Sequence, residues 1–215
     1  MQWRIKKESY HWTWKAKSIF FLVFFLSIYL IIVRAYSFLS PQNPVQTKVL
    51  VVEGWLNDYA LEESLSLFHE DSYDIMLITG GPLNTGYVLM NYKSTAEVAL
   101  ATLLEYGANP ETTIAVNRDL VWRNRTYTSA LELREYLKRE MPDVNSFNLV
   151  SLGAHSKRSY LLFKRAMPEY EIGIISLKER LYNTEKWWNT SKGLRTIITE
   201  GMGYFYVLFF FFPAK

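Results

Sequence analysis

His155 stands in the run Gly153-Ala154-His155-Ser156-Lys157-Arg158, where one imidazole is followed within three residues by two cations. An imidazole titrates near neutral pH and suits general acid or base work. If Ser156 caps the helix that follows, Lys157 and Arg158 occupy its first turn, where the helix dipole already favours negative charge. Two cations there break a local rule, and such a break is expected where a phosphate, pyrophosphate or carboxylate is received. Glu53 and Glu97 are the carboxylates placed to orient or partner His155. The bland reading is that Arg158 pairs with a carboxylate such as Glu53 and that His155 is a loop residue. His11 lies in the N-terminal tail and His69 beside Glu70 and Asp71, so neither has a comparable setting.

The elements that would position these groups alternate regularly. Short β-rich runs at 48–52, 74–78, 113–116, 147–151 and 171–176 read as strands. Between them, 59–69, 94–106, 126–139 and 156–166 carry apolar residues at three and four spacings, as helices do. Strict alternation with nearly continuous apolar strands implies a mainly parallel sheet covered on both faces, a Rossmann-like three-layer α/β/α sandwich. In such sheets ligands bind beyond the carboxyl ends of the strands. There the sequence has Glu53-Gly54-Trp55 after the first strand, Thr79-Gly80-Gly81-Pro82 after the second and the His155 run after the fourth. A glycine lets the backbone approach a ligand or adopt positive φ, and in isolation each also reads as plain turn chemistry. Gly54, Gly80 and Gly81 at one edge are therefore candidate ligand contacts.

Ser94-Thr95-Ala96-Glu97 matches a capping box, which explains both polar residues; the functional alternative has Ser94 and Glu97 facing the same pocket. Thr126 opens the third helix of the domain, with Arg125 placed to face an anion. The segment 82–93 is long, holds Tyr87, Val88, Leu89 and Met90, and reads either as a lid or as a membrane contact.

Other chemistry is excluded. No G-x-S-x-G elbow, Walker A, G-x-G-x-x-G or H-E-x-x-H occurs, so the sequence names no cofactor. With no cysteine and one well-placed histidine, a thiol nucleophile and a typical zinc site are absent, while a carboxylate site for a hard cation stays open. The net charge of +3 conceals a split: the first 39 residues hold six basic side chains and one acid, and the remaining 176 hold 18 basic and 20 acidic. A nucleic-acid partner needs its basic excess on the folded part, so none is expected.

The stretch SIFFLVFFLSIYLIIV, extended past Arg34 to Leu39, reads as a transmembrane anchor over 18–39. Residues 1–17 interleave Arg4, Lys6, Lys7, Lys15 and Lys17 with Trp3, Tyr10, Trp12 and Trp14, as a cytoplasmic flank does, which puts the domain outside. A cleaved signal peptide is the alternative, with Ala35 and Ser37 spaced like a weak cleavage site. Residues 40–47 read as an extended linker, and the fold is expected to begin at Lys48 and run to the end of the chain. Near that end, Leu194, Ile197, Ile198 and Met202 share a helical face and precede YFYVLFFFF. A second crossing would place Glu200 in the bilayer, at a cost of around 3 kcal/mol. The expected form is a last helix whose first part docks on the domain and whose end dips into the outer leaflet, with a buried core helix as the alternative.

The ordered segments VLVVEGW, ITGGP, STAEVALATLLEYGA, RTYTSALELREYL, NLVSLGAHSKRSYLLFKRA and WWNTSKGLRTIITEGMGYFY resemble the YdcF-like family over about residues 48–206. The resemblance implies a Rossmann-like domain, often membrane-anchored, associated with the bacterial envelope and cell-wall precursors. It points to Glu53, Gly54, Gly80, Gly81, Ser94, Glu97, Thr126, His155 and Arg158. Many family members are Gly-rich where Glu53-Gly54-Trp55 stands and have an acid before the third helix where this chain has Asn117-Arg118-Asp119, so the charge of the pocket differs. The expected function is binding of an anionic, phosphate-bearing and lipid-linked precursor, with His155 and Glu53 or Glu97 as acid–base groups and Arg125 and Arg158 on the anion. The alternative is a non-catalytic domain for a nucleotide-like ligand of the S-adenosylmethionine type, which one branch of the family is associated with.

Overall fold

The computed structural model describes residues 12–71, 73–83, 85, 91–121 and 123–213; the basic tail up to His11 and the residues Tyr87 to Met90 lie outside them. The chain divides into two units, Met1–Ala35 and Tyr36–Lys215.

Helix α1, Trp14–Leu39, has 26 residues and is long and apolar enough to cross a membrane. It starts four residues before the predicted span because Thr13 caps it, its Oγ1 accepting from the Ala16 amide at 3.2 Å. No Gly or Pro interrupts it, and Phe20 and Phe21 stack on Phe24 and Phe25 one turn on.

The second unit is a five-stranded sheet flanked by helices. Its elements are β1 Val49–Glu53, α2 Asp58–Glu70, β2 Ile75–Gly80, α3 Thr95–Glu105, β3 Thr113–Asn117, α4 Arg125–Glu140, β4 Ser146–Leu152, α5 Ser156–Ala166, β5 Glu171–Leu177 and α6 Ser191–Phe210. The strand order is β3-β2-β1-β4-β5 and every pairing is parallel. The Rossmann-like α/β reading therefore stands, and each predicted strand and each helix bounded by the periodicity in this unit is found within two residues of its expected ends.

Two apolar cores explain why both strand faces had to be hydrophobic. On one face Leu50, Val52, Met76 and Ile78 meet Leu61 and Leu65 of α2 and Leu103 of α3. On the other, Val51, Leu77, Phe147 and Leu149 meet Leu133 and Leu137 of α4 and Phe163 of α5. The crossover β3 to α4 to β4 changes the winding direction, so the ends of the adjacent strands β1 and β4 splay their connections to opposite faces. The resulting crevice lies beside Glu53 and Leu152.

The segment predicted as a free linker is instead stitched to the sheet edge. Asn43 bridges Ile174 of β5 in antiparallel sense, the Gln42 side chain bonds Ser176 through both its donor and its acceptor, and Val45 and Asn148 exchange two hydrogen bonds. An otherwise open parallel edge is thus covered. The predicted start at Lys48 moves back to Tyr36, because backbone polarity that looks like loop chemistry in sequence serves as edge pairing here.

Phe163 is fully buried and meets the Phe147 ring at 6.4 Å between centroids. Phe163→Ala should destabilise the domain by about 3–5 kcal/mol. In a domain of this size that reads as a fall of roughly 6–20 °C in thermal midpoint by circular dichroism.

Candidate functional site

A cavity of about 730 Å³ opens at the carboxyl ends of β1, β2 and β4, with α4, α5 and α6 contributing the outer wall. Its charged lining comprises Arg118, Arg125, Arg158 and Lys192 against Glu53, Glu179 and Glu200, together with His155.

The imidazole lies at the junction of β4 and α5. Gly153 takes φ +49, which only glycine adopts without strain, and the chain makes one 3-10 turn before α5 starts. Residue 155, not Ser156, is thereby the N-cap, and the Ser156 hydroxyl bonds Ser176 at 2.6 Å instead. His155 Nδ1 is 3.0 Å from Glu200 Oε1, and Arg158 donates to the same carboxylate through Nε at 2.8 Å. This cluster resolves two expectations at once. Arg158 is neutralised by Glu200 rather than by Glu53, so it is not a free anion ligand. Glu200 is not a liability in an apolar helix; it is the acid that pins α6 to α5.

Burial pushes the Glu200 carboxyl up, but the hydrogen bond and charge of His155, followed by those of Arg158, outweigh it and hold it down at about 2. His155 Nδ1 also lies 3.0 Å from Arg158 Nη2, so this nitrogen faces both the Glu200 carboxylate and the guanidinium. Nε2 has no hydrogen-bond partner among the described residues and lies 3.9 Å from Glu53 Oε1, while Trp55 packs on the ring with centroids 4.7 Å apart. Glu53 is buried and accepts from Ser151 Oγ at 2.5 Å and Ser159 Oγ at 3.0 Å. The arrangement is an imidazole oriented by one carboxylate, with a second carboxylate beneath it, a geometry suited to taking up or giving a proton.

Across the cavity the charge is unbalanced. Arg118 follows β3, is 92% buried, and among the described residues its guanidinium bonds only the Asp119 carbonyl, through Nη1 at 2.9 Å. Its Nε has no hydrogen-bond partner among the described residues. Burial, and after it the nearby Arg125, both work against its charged form. No carboxylate pairs with either guanidinium among the described residues. The start of α4 adds to the field: Asn124 sits at its N-cap in the left-handed region at φ 56 and makes no side-chain cap bond, and the first turn holds no acid. Arg125 and Thr126 line the cavity there, so Thr126 is a wall residue and not the cap.

The remaining predicted residues serve the frame. Ser94 caps α3, accepting from Glu97 N at 3.0 Å, and Glu97 returns a bond to Lys93 N at 2.7 Å and accepts from Asn117 Nδ2 at 3.0 Å. Neither lines the cavity, so Glu97 has no place as an acid–base group for His155. Gly54 and Gly80 admit the start of α3: a Cβ at Gly54 would lie 2.9 Å from Ala96 Cα, and one at Gly80 would clash with Ala96 N. A Cβ at Gly81 would strike the Arg118 guanidinium, which therefore lies flat on that glycine. Gly80 and Gly81 do line the cavity; Gly54 does not. Lys157 turns away, its Nζ 4.4 Å from the centroid of the Phe38 ring.

Arg118, Glu200 and Glu179 were missed from sequence. Arg118 was accessible to the same rule that found His155, since it follows a strand end. Glu200 had only the signal of a lone charge in an apolar run. No group of three or more His, Asp or Glu able to hold a metal ion occurs among the described residues. No protein-family model matches the chain and no curated protein matches it, so the likeness to the YdcF-like family rests on the quoted segments alone.

Because the Glu200 pKa is lowered on folding from 4.5, its contribution is present above pH 4.5 and is lost as pH falls toward 2. Glu200→Gln should lower stability at neutral pH by up to about 3 kcal/mol, the worth of such a shift. Thermal midpoints of wild type and variant, measured against pH, should converge between pH 4.5 and about 2.

Proposed function

We propose that this chain is a membrane-anchored domain of the bacterial envelope whose cavity binds a phosphate-bearing, lipid-linked precursor on the outer face of the cytoplasmic membrane. The observation that carries the reading is Arg118, a buried guanidinium without a carboxylate partner among the described residues, beside Arg125 and the uncapped start of α4. A buried unpaired cation costs several kcal/mol and is kept where a ligand supplies the missing charge. Amide groups at a helix start and two guanidinium forks together match the tetrahedral oxygens of a phosphate or pyrophosphate. This assigns the anion to Arg118 and Arg125, with Thr126 beside them, and leaves Arg158 to hold Glu200.

His155 is the group for proton transfer. Glu200 orients its ring, Nε2 takes or returns a proton at a hydroxyl or water of the bound molecule, and Glu53 supports the imidazolium that forms. The anchor keeps the domain within reach of a substrate confined to the same bilayer, and the basic flank that includes Lys15 and Lys17 favours an N-terminus inside. The resemblance to the YdcF-like family agrees with that placement. A sulfonium ligand of the S-adenosylmethionine type is disfavoured, because its cation would meet Arg118 and Arg125 with like charge.

Inorganic pyrophosphate titrated calorimetrically into the detergent-solubilised full chain should bind saturably. Arg118→Gln and Arg125→Gln should each weaken it by roughly 10–100-fold, the worth of one charge-assisted hydrogen-bond pair. Without ligand, Arg118→Gln should melt no lower than wild type, since it removes an unpaired buried charge. Unchanged affinity in Arg118→Gln, or a lowered midpoint, would make that side chain structural and remove the reading.

A further inference from the structure

The cavity uses one side of α6, and a different side is left bare. Leu194, Ile198, Met202, Phe205, Phe209 and Phe212 recur at spacings of four, four, three, four and three, and all are exposed. At 1.5 Å per residue the helical part of this stripe runs about 22 Å. The face that docks on the domain is another: Gly193, Ile197 and Val207 are buried, and the Arg165 guanidinium reaches the carbonyls of Val207, Leu208 and Phe211 to cap the helix end. Of the four apolar residues expected to share one docking face, Ile197 is buried against the domain while Leu194, Ile198 and Met202 are exposed, so the bare stripe begins in the first turn.

What lies next to the stripe identifies its occupant. The last turn of α1 lies beside the middle of α6: a Cβ built on Gly201 would lie 4.0 Å from Leu39 Cδ1, and the Phe38 ring meets Tyr204 edge-on at 5.5 Å between centroids. Gly201 is the helical neighbour of Ile198 and Phe205 at three and four residues. The point where the apolar anchor ends is therefore continuous with the flank of the stripe. Lys157 Nζ, held over the Phe38 and Tyr204 rings, marks that junction as a headgroup-level setting, where a cation and aromatic rings are stable together. Lys192 and Arg195 are the exposed charges of α6, and its single acid is consumed by Arg158 and His155.

We infer that α6 is an interfacial helix that lies along the bilayer into which α1 is inserted, its apolar stripe among the acyl chains and Arg195 toward anionic headgroups. The inference rests on the anchor reading and is independent of what the cavity binds. A lipid surface fits better than a second copy of the chain, because the flank of the stripe adjoins Phe38 and Leu39, the last residues of the apolar anchor sequence.

The chain has no cysteine, so one cysteine can be introduced and spin-labelled at a time. Ile198→Cys, Met202→Cys and Phe205→Cys report on the stripe, Glu135→Cys on exposed α4, and Val23→Cys on the anchor. The full chain is reconstituted in vesicles of phosphatidylethanolamine and phosphatidylglycerol, and power-saturation resonance compares collisions with oxygen and with a water-soluble nickel chelate. The expected result is an oxygen-to-nickel ratio at 198, 202 and 205 several-fold above that at 135, with 23 higher still. Ratios at the three stripe positions equal to that at 135, with 23 still deep, overturn the inference and leave the anchor standing. Spin–spin broadening with both relaxants excluded assigns the stripe to a second copy and also overturns it. Water-exposed values at 23 remove the anchor itself.

Discussion

Charge neutrality around Glu200 is the constraint on which the outer wall of the cavity depends. An acid in the middle of an apolar helix has to be paired, and the only groups that reach it among the described residues are His155 and Arg158. That pairing has three consequences. It fixes α6 against α5 and so closes one wall of the cavity. It orients the imidazole with Nδ1 occupied and Nε2 without a hydrogen-bond partner among the described residues. It removes Arg158 from the pool of cations available to a ligand, which leaves Arg118, Arg125 and the more exposed Lys192 as lining cations without a carboxylate partner among the described residues. The same helix therefore sets the acid–base group and decides which end of the cavity is electropositive.

Parallel topology supplies the rest. The change of winding between β1 and β4 puts Glu53 and the His155 turn side by side, although they are about a hundred residues apart in the chain. Glycine at the strand ends works mainly by letting other protein groups come close. Gly54 and Gly80 seat the start of α3, and Gly81 seats a guanidinium. The pocket is built by close backbone packing first, and its charged side chains are then laid on that frame.

The strands and helices were legible because their signal is local: runs such as VLVVE and FNLVS are apolar throughout, and only a sheet covered on both faces demands that. His155, Glu53, Gly80 and Gly81 were legible because strand ends are where this topology gathers ligand groups. Pairings were not. Arg158 could have met Glu53, and its meeting Glu200 depends on how α6 returns across α5, which no periodicity encodes. Glu97 and Ser94 looked equally suited to a cap and to a pocket, and only the placement of Asn117 shows the cap consuming both carboxylate oxygens. Residues 40–47 read as a linker because edge pairing is made by backbone and by Gln42 and Asn148 side chains, whose polarity resembles that of a loop.

The central claim is that a built-in excess of positive charge awaits a phosphate at Arg118. Mass spectrometry of small molecules that copurify with the detergent-solubilised full chain, wild type against Arg118→Gln, tests it most directly. The account predicts a phosphorylated compound, lipid-linked in its chemistry, that accompanies the wild type and is depleted in the variant. An uncharged or cationic companion, or a phosphorylated one retained equally by both proteins, would contradict it.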